Sequence, residues 1–135
     1  MPAEQSVRVA VLGAGMSGIC MGIQLKQRGI ENFVILEKAD AVGGTWRENT
    51  YPGVACDVPS HVYSFSFELN PDWSHAYSNG KEIWDYCERC VDKYGLGPYI
   101  QFGTEVSEVE FDDARWQIRT KDGATITADV VVSGL

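Results

Sequence analysis

Apolar residues come in two short, dense runs near the start of the chain and in alternating runs near its end. VRVAVLG (residues 7–13) is almost wholly apolar and stops at glycine, the pattern of a strand buried on both faces. From Gly13 to Arg28 the spacing predicts a helix, closed by Gly29, the residue best suited to a left-handed C-cap. NFVILE (32–37) reads as a second buried strand. Residues 38–78 carry no sustained period, although Tyr63, Phe65 and Phe67 alternate with serines as in a half-buried strand. Asn79 with Glu82 three positions on is a capping-box signature. It opens a helix that gathers Ile83, Cys87, Cys90, Val91 and Tyr94 on one face and ends over Gly95–Pro98. The period then switches to two. VSEVEF, RWQIRT, a Lys-Asp-Gly turn and ATITADVVV predict a β-meander running into a last buried strand. The order predicts one α/β domain over residues 1–135, Rossmann-like, with a parallel sheet, a β-meander and an irregular aromatic loop.

Candidate chemistry begins at GAGMSG (13–18). Gly13 permits the tight turn out of the first strand, and Gly15 lets the backbone approach a pyrophosphate. Gly18 and Gly22 let the helix lie close to the sheet. Met16 and Ser17 then open the helix, where free amides and the dipole favour phosphate. A glycine-rich turn without a ligand is the competing reading of such a motif. Here it follows a strand, opens a helix and precedes an acid, Glu37, 19 residues after Gly18 at the end of the next strand. That is the setting of a dinucleotide fingerprint, with Lys38 beside the acid as a further candidate. A carboxylate accepts from both ribose hydroxyls and repels a 2′-phosphate, so the site suits FAD or NAD rather than NADP.

Charge and cysteines narrow the picture further. Nineteen acidic against 11 basic residues give a net charge of −8, without a basic cluster, which argues against nucleic acid as a partner. MPAEQSV lacks the basic and apolar regions of a secretory leader, and residues 7–25 are too interrupted for a membrane span. Four cysteines in that context fit a reducing cytoplasm. Cys87 and Cys90 share a helix face without a second pair, so core packing outweighs a zinc or redox site.

GGTWRENTYPGVACDVPS (43–60) begins six residues after Glu37. In disulfide reductases a redox cysteine follows Gly-Gly-Thr; here Trp46 stands there and Cys56 has no partner at the required spacing. Together GGTW, YPG, CD and YSFSF resemble Baeyer–Villiger monooxygenases, class B flavoprotein oxygenases, and the likeness runs through GAGMSG, the EIWDYCERCVDKYGL helix and the meander. The resemblance implies FAD as the cofactor, with Gly44, Thr45 and Trp46 lining it and Asp57 beside the flavin ring. It also implies contact with the cofactor by Tyr63 and with adenine by the Val106 backbone. A small-molecule ketone and O2 are the implied substrates, and esters or lactones the products.

NADPH would bind a second fold beyond residue 135, which makes the chain a fragment or truncated relative of a longer oxygenase. Arg47 and Glu48 stand where many members carry aromatics, and Thr50 where they carry arginine. From the residues alone, Asp57 also reads as a turn former, and Trp46 as a core aromatic. Two other functions stay open: N- or S-hydroxylation by a related flavin oxygenase, and non-catalytic FAD binding. Residues 43–63 offer turns and aromatics but few means of self-pairing, so FAD is expected to order them.

Overall fold

The computed structural model describes residues 4–135; Met1–Ala3, part of the segment read above for a leader, lie outside the described residues. Strand β1 (Glu4–Leu12) leads into helix α1 (Met16–Gln27) and β2 (Phe33–Leu36). A four-residue helix α2 (Thr45–Glu48) and the long α3 (Gly80–Lys93) follow. The chain closes with β3 (Ile100–Gln101), β4 (Val106–Phe111), β5 (Trp116–Thr120) and β6 (Thr125–Ser133). One six-stranded sheet results, in the order β3-β2-β1-β6-β5-β4. The first four strands in that order run parallel; beyond β6, β5 runs antiparallel to β6 and β4 antiparallel to β5.

Alternation along the central strands builds two cores. Val9, Val11, Phe33 and Ile35 face α1 and α3, where they pack with Ile19, Ile23, Cys87 and Leu96. Ala10, Leu12, Val34 and Leu36 point the other way, onto Ile118, Ile126 and Ala128 of the meander. The meander is continuous with the parallel sheet because β6 serves both: its first half pairs with β1 on one side and β5 on the other. Polar Glu4–Ser6, outside the apolar run, join β1 because β6 supplies their ladder partners from Thr125 to Thr127. No helix among the described residues is long and apolar enough to cross a membrane.

The aromatic segment departs from its predicted strand. Tyr63 follows a 3-10 turn (Ser60–Val62), and only an isolated bridge between Phe65 and Glu68 interrupts the irregular chain. Phe65 and Phe67 fall on the same side and stack at 5.2 Å. The hydroxyl of buried Tyr86 accepts from the Phe65 N–H at 2.9 Å and donates to the Glu68 carbonyl at 2.7 Å. A side chain from α3 therefore satisfies backbone groups that a neighbouring strand would otherwise have taken. Tyr86→Phe is expected to strand the buried Phe65 amide and cost about 1–3 kcal/mol in a denaturant melt. An unchanged midpoint would mean that water or a shifted turn replaces the phenol.

Residues 43–63, expected to have few means of self-pairing, find partners outside the loop. Ala55 bridges Asn79, the Cys56 amide donates to Ser78 O, the Ser60 amide donates to Ala76 O, and the Ser60 and Ser78 hydroxyls bond each other at 2.5 Å. The loop is stitched to the chain just ahead of α3. That helix has the predicted cap, Asn79 accepting from the Glu82 amide at 2.9 Å, but the Glu82 carboxylate turns to Ser74 rather than back to Asn79.

Cys87 and Cys90 are buried in the α3 core, as the packing reading requires. Burial, with the neighbouring Cys90 second, pushes the Cys87 thiol from 9.0 up to about 12. The folded chain thus keeps a proton that the unfolded chain releases once pH passes about 9, so stability falls as pH rises through that window. Denaturant midpoints at pH 8 and pH 10.5 are expected to fall further apart in the native protein than in Cys87→Ala. Equal shifts would remove Cys87 from that pH dependence.

Candidate dinucleotide site

Helix α1 starts without a side-chain cap, at Gly15, so the first-turn amides of Met16 and Ser17 remain available to a ligand. Both residues line a cleft of about 690 Å³ at the carboxyl ends of β1 and β2. The glycines of the motif divide the work. A Cβ on Gly18 would lie 1.8 Å from the Gly13 carbonyl oxygen, so Gly18 permits the close helix–turn approach. A Cβ on Gly15 would meet only the Gly44 Cα, at 3.7 Å. Gly44 has φ +52°, the left-handed region, and its own added Cβ would stand 3.1 Å from the Gly15 Cα. Two glycine loops therefore touch across the cleft floor, tied by the Gly43 amide donating to Ala14 O at 3.0 Å.

Glu37 is buried, 6% exposed, and faces this floor. Its Oε2 accepts from the Ala14 amide at 2.7 Å and its Oε1 from the Ala39 amide at 2.9 Å. Each oxygen keeps a further lone pair. The carboxylate is thus held by the backbone while retaining capacity for two hydroxyl donors. Its own main chain is clamped as well, the Glu37 amide donating to Gln101 O and the Thr104 amide donating to Glu37 O, both at 2.9 Å. The latter bond lays the start of β4 alongside the acid.

At α2, the Trp46 indole donates Nε1–H to the Tyr63 hydroxyl at 3.1 Å, with the rings edge-on at 5.7 Å. Both line the cleft. Burial, the largest influence, raises the pKa of the Tyr63 phenol, which keeps its proton as a donor. Trp84 of α3 wedges beneath the second glycine loop, its ring occupying the space a side chain on Gly43 would need.

Of the motif and loop residues singled out as candidates for the cofactor site, the cleft lacks Asp57, Gly18 (packed beneath the turn) and Gly22 (packed against Ile35 and Leu96). Asp57 is exposed on the bend after Cys56 and has no hydrogen-bond or ion-pair partner among the described residues. Sequence reading missed Thr104, Glu105, Ser107 and Glu108, which also line the cleft, and Gly134 after β6. Gly134 donates its amide to Leu12 O at 2.8 Å and abuts Gly13. Its signal was a glycine closing the last strand; the β4 residues carried none beyond strand alternation.

Residues 11–90, from β1 through most of α3, match the NAD(P)-binding Rossmann-like domain profile. The chain belongs to that family. A Baeyer–Villiger monooxygenase of Streptomyces coelicolor is 50% identical over 132 residues, covering 96% of this chain and 25% of that protein. An FAD-binding monooxygenase of Aspergillus terreus is 41% identical over 138 residues, again 96% of this chain and 25% of that protein. Among solved structures, closed cyclohexanone monooxygenase superposes with a TM-score of 0.92 at 35% identity, over 98% of this chain and 26% of that one. The resemblance carried by the GGTW, YPG and CD segments is borne out, and so is the Rossmann-like α/β fold. This Rossmann-like chain spans about a quarter of the length of the relatives it matches.

Proposed function

We propose that the cleft holds FAD and that the chain is the flavin-binding part of an NADPH-dependent monooxygenase converting ketones to esters or lactones. The observation that carries this reading is the pair of touching glycine loops beside a buried Glu37 with unspent lone pairs. Its residues fit the cofactor. Gly15 and Gly44 leave bare backbone for a pyrophosphate, Met16 and Ser17 supply amides, and Glu37 takes the ribose hydroxyls. Lys38 and Thr45 also line the cleft, as do the hydrogen-bonded Trp46 and Tyr63, with Tyr63 offering its O–H to an acceptor. FAD bound here would supply electron transfer from NADPH and activation of O2, while the chain binds it, orients it and excludes water.

Asp57 would act from the loop surface. The Cys56 and Ser60 amides anchor its backbone on both sides, so an exposed carboxylate is presented on fixed chain. Such a group suits a charge-assisted bond to a cation contributed from outside these residues. The test is flavin content and NADPH-dependent ketone oxygenation in the full-length protein and in Asp57→Ala. The variant is expected to keep FAD and to lose roughly ten- to a hundredfold in oxygenation, the worth of one charge-assisted hydrogen bond. Unimpaired oxygenation would reduce Asp57 to a turn residue. Flavin uptake without any oxygenation of ketones by the unaltered protein would leave non-catalytic binding or oxygenation of nitrogen or sulfur.

A further inference from the structure

We propose that Met16 is a modification site: hydrogen peroxide oxidises its thioether to the sulfoxide, and the added oxygen closes the cleft to FAD. The inference rests on the FAD reading above and adds to it a means of switching the site off. Met16 is half-buried, packed against the core and lining the cleft. Its Sδ accepts from the Cys87 thiol at 3.2 Å, a bond that reaches from α3 to the first turn of α1. The sulfur is therefore held at the same turn whose Met16 and Ser17 amides are available to a phosphate. Met21, further along α1, packs against the core and has no place in the cleft lining.

The two sulfurs differ in reactivity. Cys87 is fully buried, and burial pushes its thiol up to about 12, so it stays an S–H donor and forms little of the thiolate that reacts with peroxide. A thioether needs no deprotonation. A sulfur lone pair takes one peroxide oxygen, the O–O bond breaks, and the second oxygen leaves as water. Sulfur loses two electrons and peroxide gains them. Peroxide itself forms when O2 takes two electrons and two protons from a reduced flavin with no substrate to accept an oxygen atom. The 3.2 Å gap between the two sulfurs has no room for an oxygen, so it is added on a side turned away from Cys87. Met16 lines the cleft, which is the way in for peroxide and the space the oxygen takes. The S–O bond is dipolar, with its negative end on oxygen. Set beside the first turn of α1, that oxygen competes with a phosphate for the free amides and repels it.

The experiment exposes full-length protein, flavin-loaded or stripped of flavin, to hydrogen peroxide and maps sulfoxides by peptide mass spectrometry. After the peroxide is removed, FAD uptake by the stripped protein is followed by quenching of flavin fluorescence. Met16 is expected to oxidise faster than Met21 in stripped protein, and bound FAD to shield Met16 while leaving Met21 as it was. FAD affinity is expected to fall about ten- to a hundredfold as Met16 sulfoxide accumulates, the worth of one charge-assisted hydrogen bond. Treatment with methionine sulfoxide reductase is expected to restore it. In Met16→Leu, whatever its starting affinity, peroxide is expected to weaken FAD binding no further. Full Met16 sulfoxide without a change in affinity, or an equal peroxide loss in Met16→Leu, would overturn the proposal. So would a Met16 that stays reduced while Met21 oxidises. Absence of FAD uptake by the untreated, unaltered protein would overturn the FAD reading itself, and this proposal with it.

Discussion

Gly15→Val is expected to leave a folded protein that takes up no FAD. The α-carbon of Gly15 points into open cleft, where an added Cβ touches only the Gly44 Cα, at ordinary van der Waals distance. Gly15 also has φ −79°, which every residue tolerates, so valine there costs the fold little. A phosphate, by contrast, must come within hydrogen-bond reach of the Met16 and Ser17 amides, and branched methyls occupy that approach. Losing two charge-assisted bonds amounts to about a hundredfold or more in affinity. Paired measurements decide it: thermal midpoint for the fold and flavin absorbance for the site. Flavin-loaded Gly15→Val would sink the site assignment, and an unfolded one would make Gly15 a structural glycine.

Gly18→Ala should fail in the opposite way, by loss of the fold. Its Cβ would sit 1.8 Å from the Gly13 carbonyl oxygen and 2.8 Å from the carbonyl carbon, both backbone atoms that no rotamer change can move. Either α1 lifts from the end of β1 or the Gly13 turn opens, and both expose Ile19 and Ile23 at the centre of the core. The cost is about 3 kcal/mol or more, roughly ten degrees or more in thermal midpoint for a chain of this size. A midpoint within two degrees of the native value would show that the start of α1 can retreat without disturbing the sheet. Two glycines three positions apart in one motif therefore predict an empty protein and an unstable one.

The sequence by itself determined whatever depends on residues close together along the chain. Strand alternation at β1 and β2, the Gly13–Gly18 turn, the Asn79 cap and the face of α3 are each set by neighbours within a strand or a turn or two of helix. Their physics is local, so their signals are legible. The place of Glu37 beside the glycine turn was legible too, because the dinucleotide pattern sets an acid at a fixed distance from the glycines. Only the tertiary structure decided which groups pair across long separations. Tyr63–Phe67 had the alternation of a strand, but Tyr86 claimed the Phe65 amide and left the segment irregular. Nothing in the loop itself showed that residues 54–60 would find partners at 76–80. Asp57 was placed beside the ring by resemblance, yet it stands outside the cleft lining because those same pairings fix the bend that carries it. The register shift between Val106 and Glu108 left no mark on an alternating VSEVEF run, since register is a property of two strands and not of one.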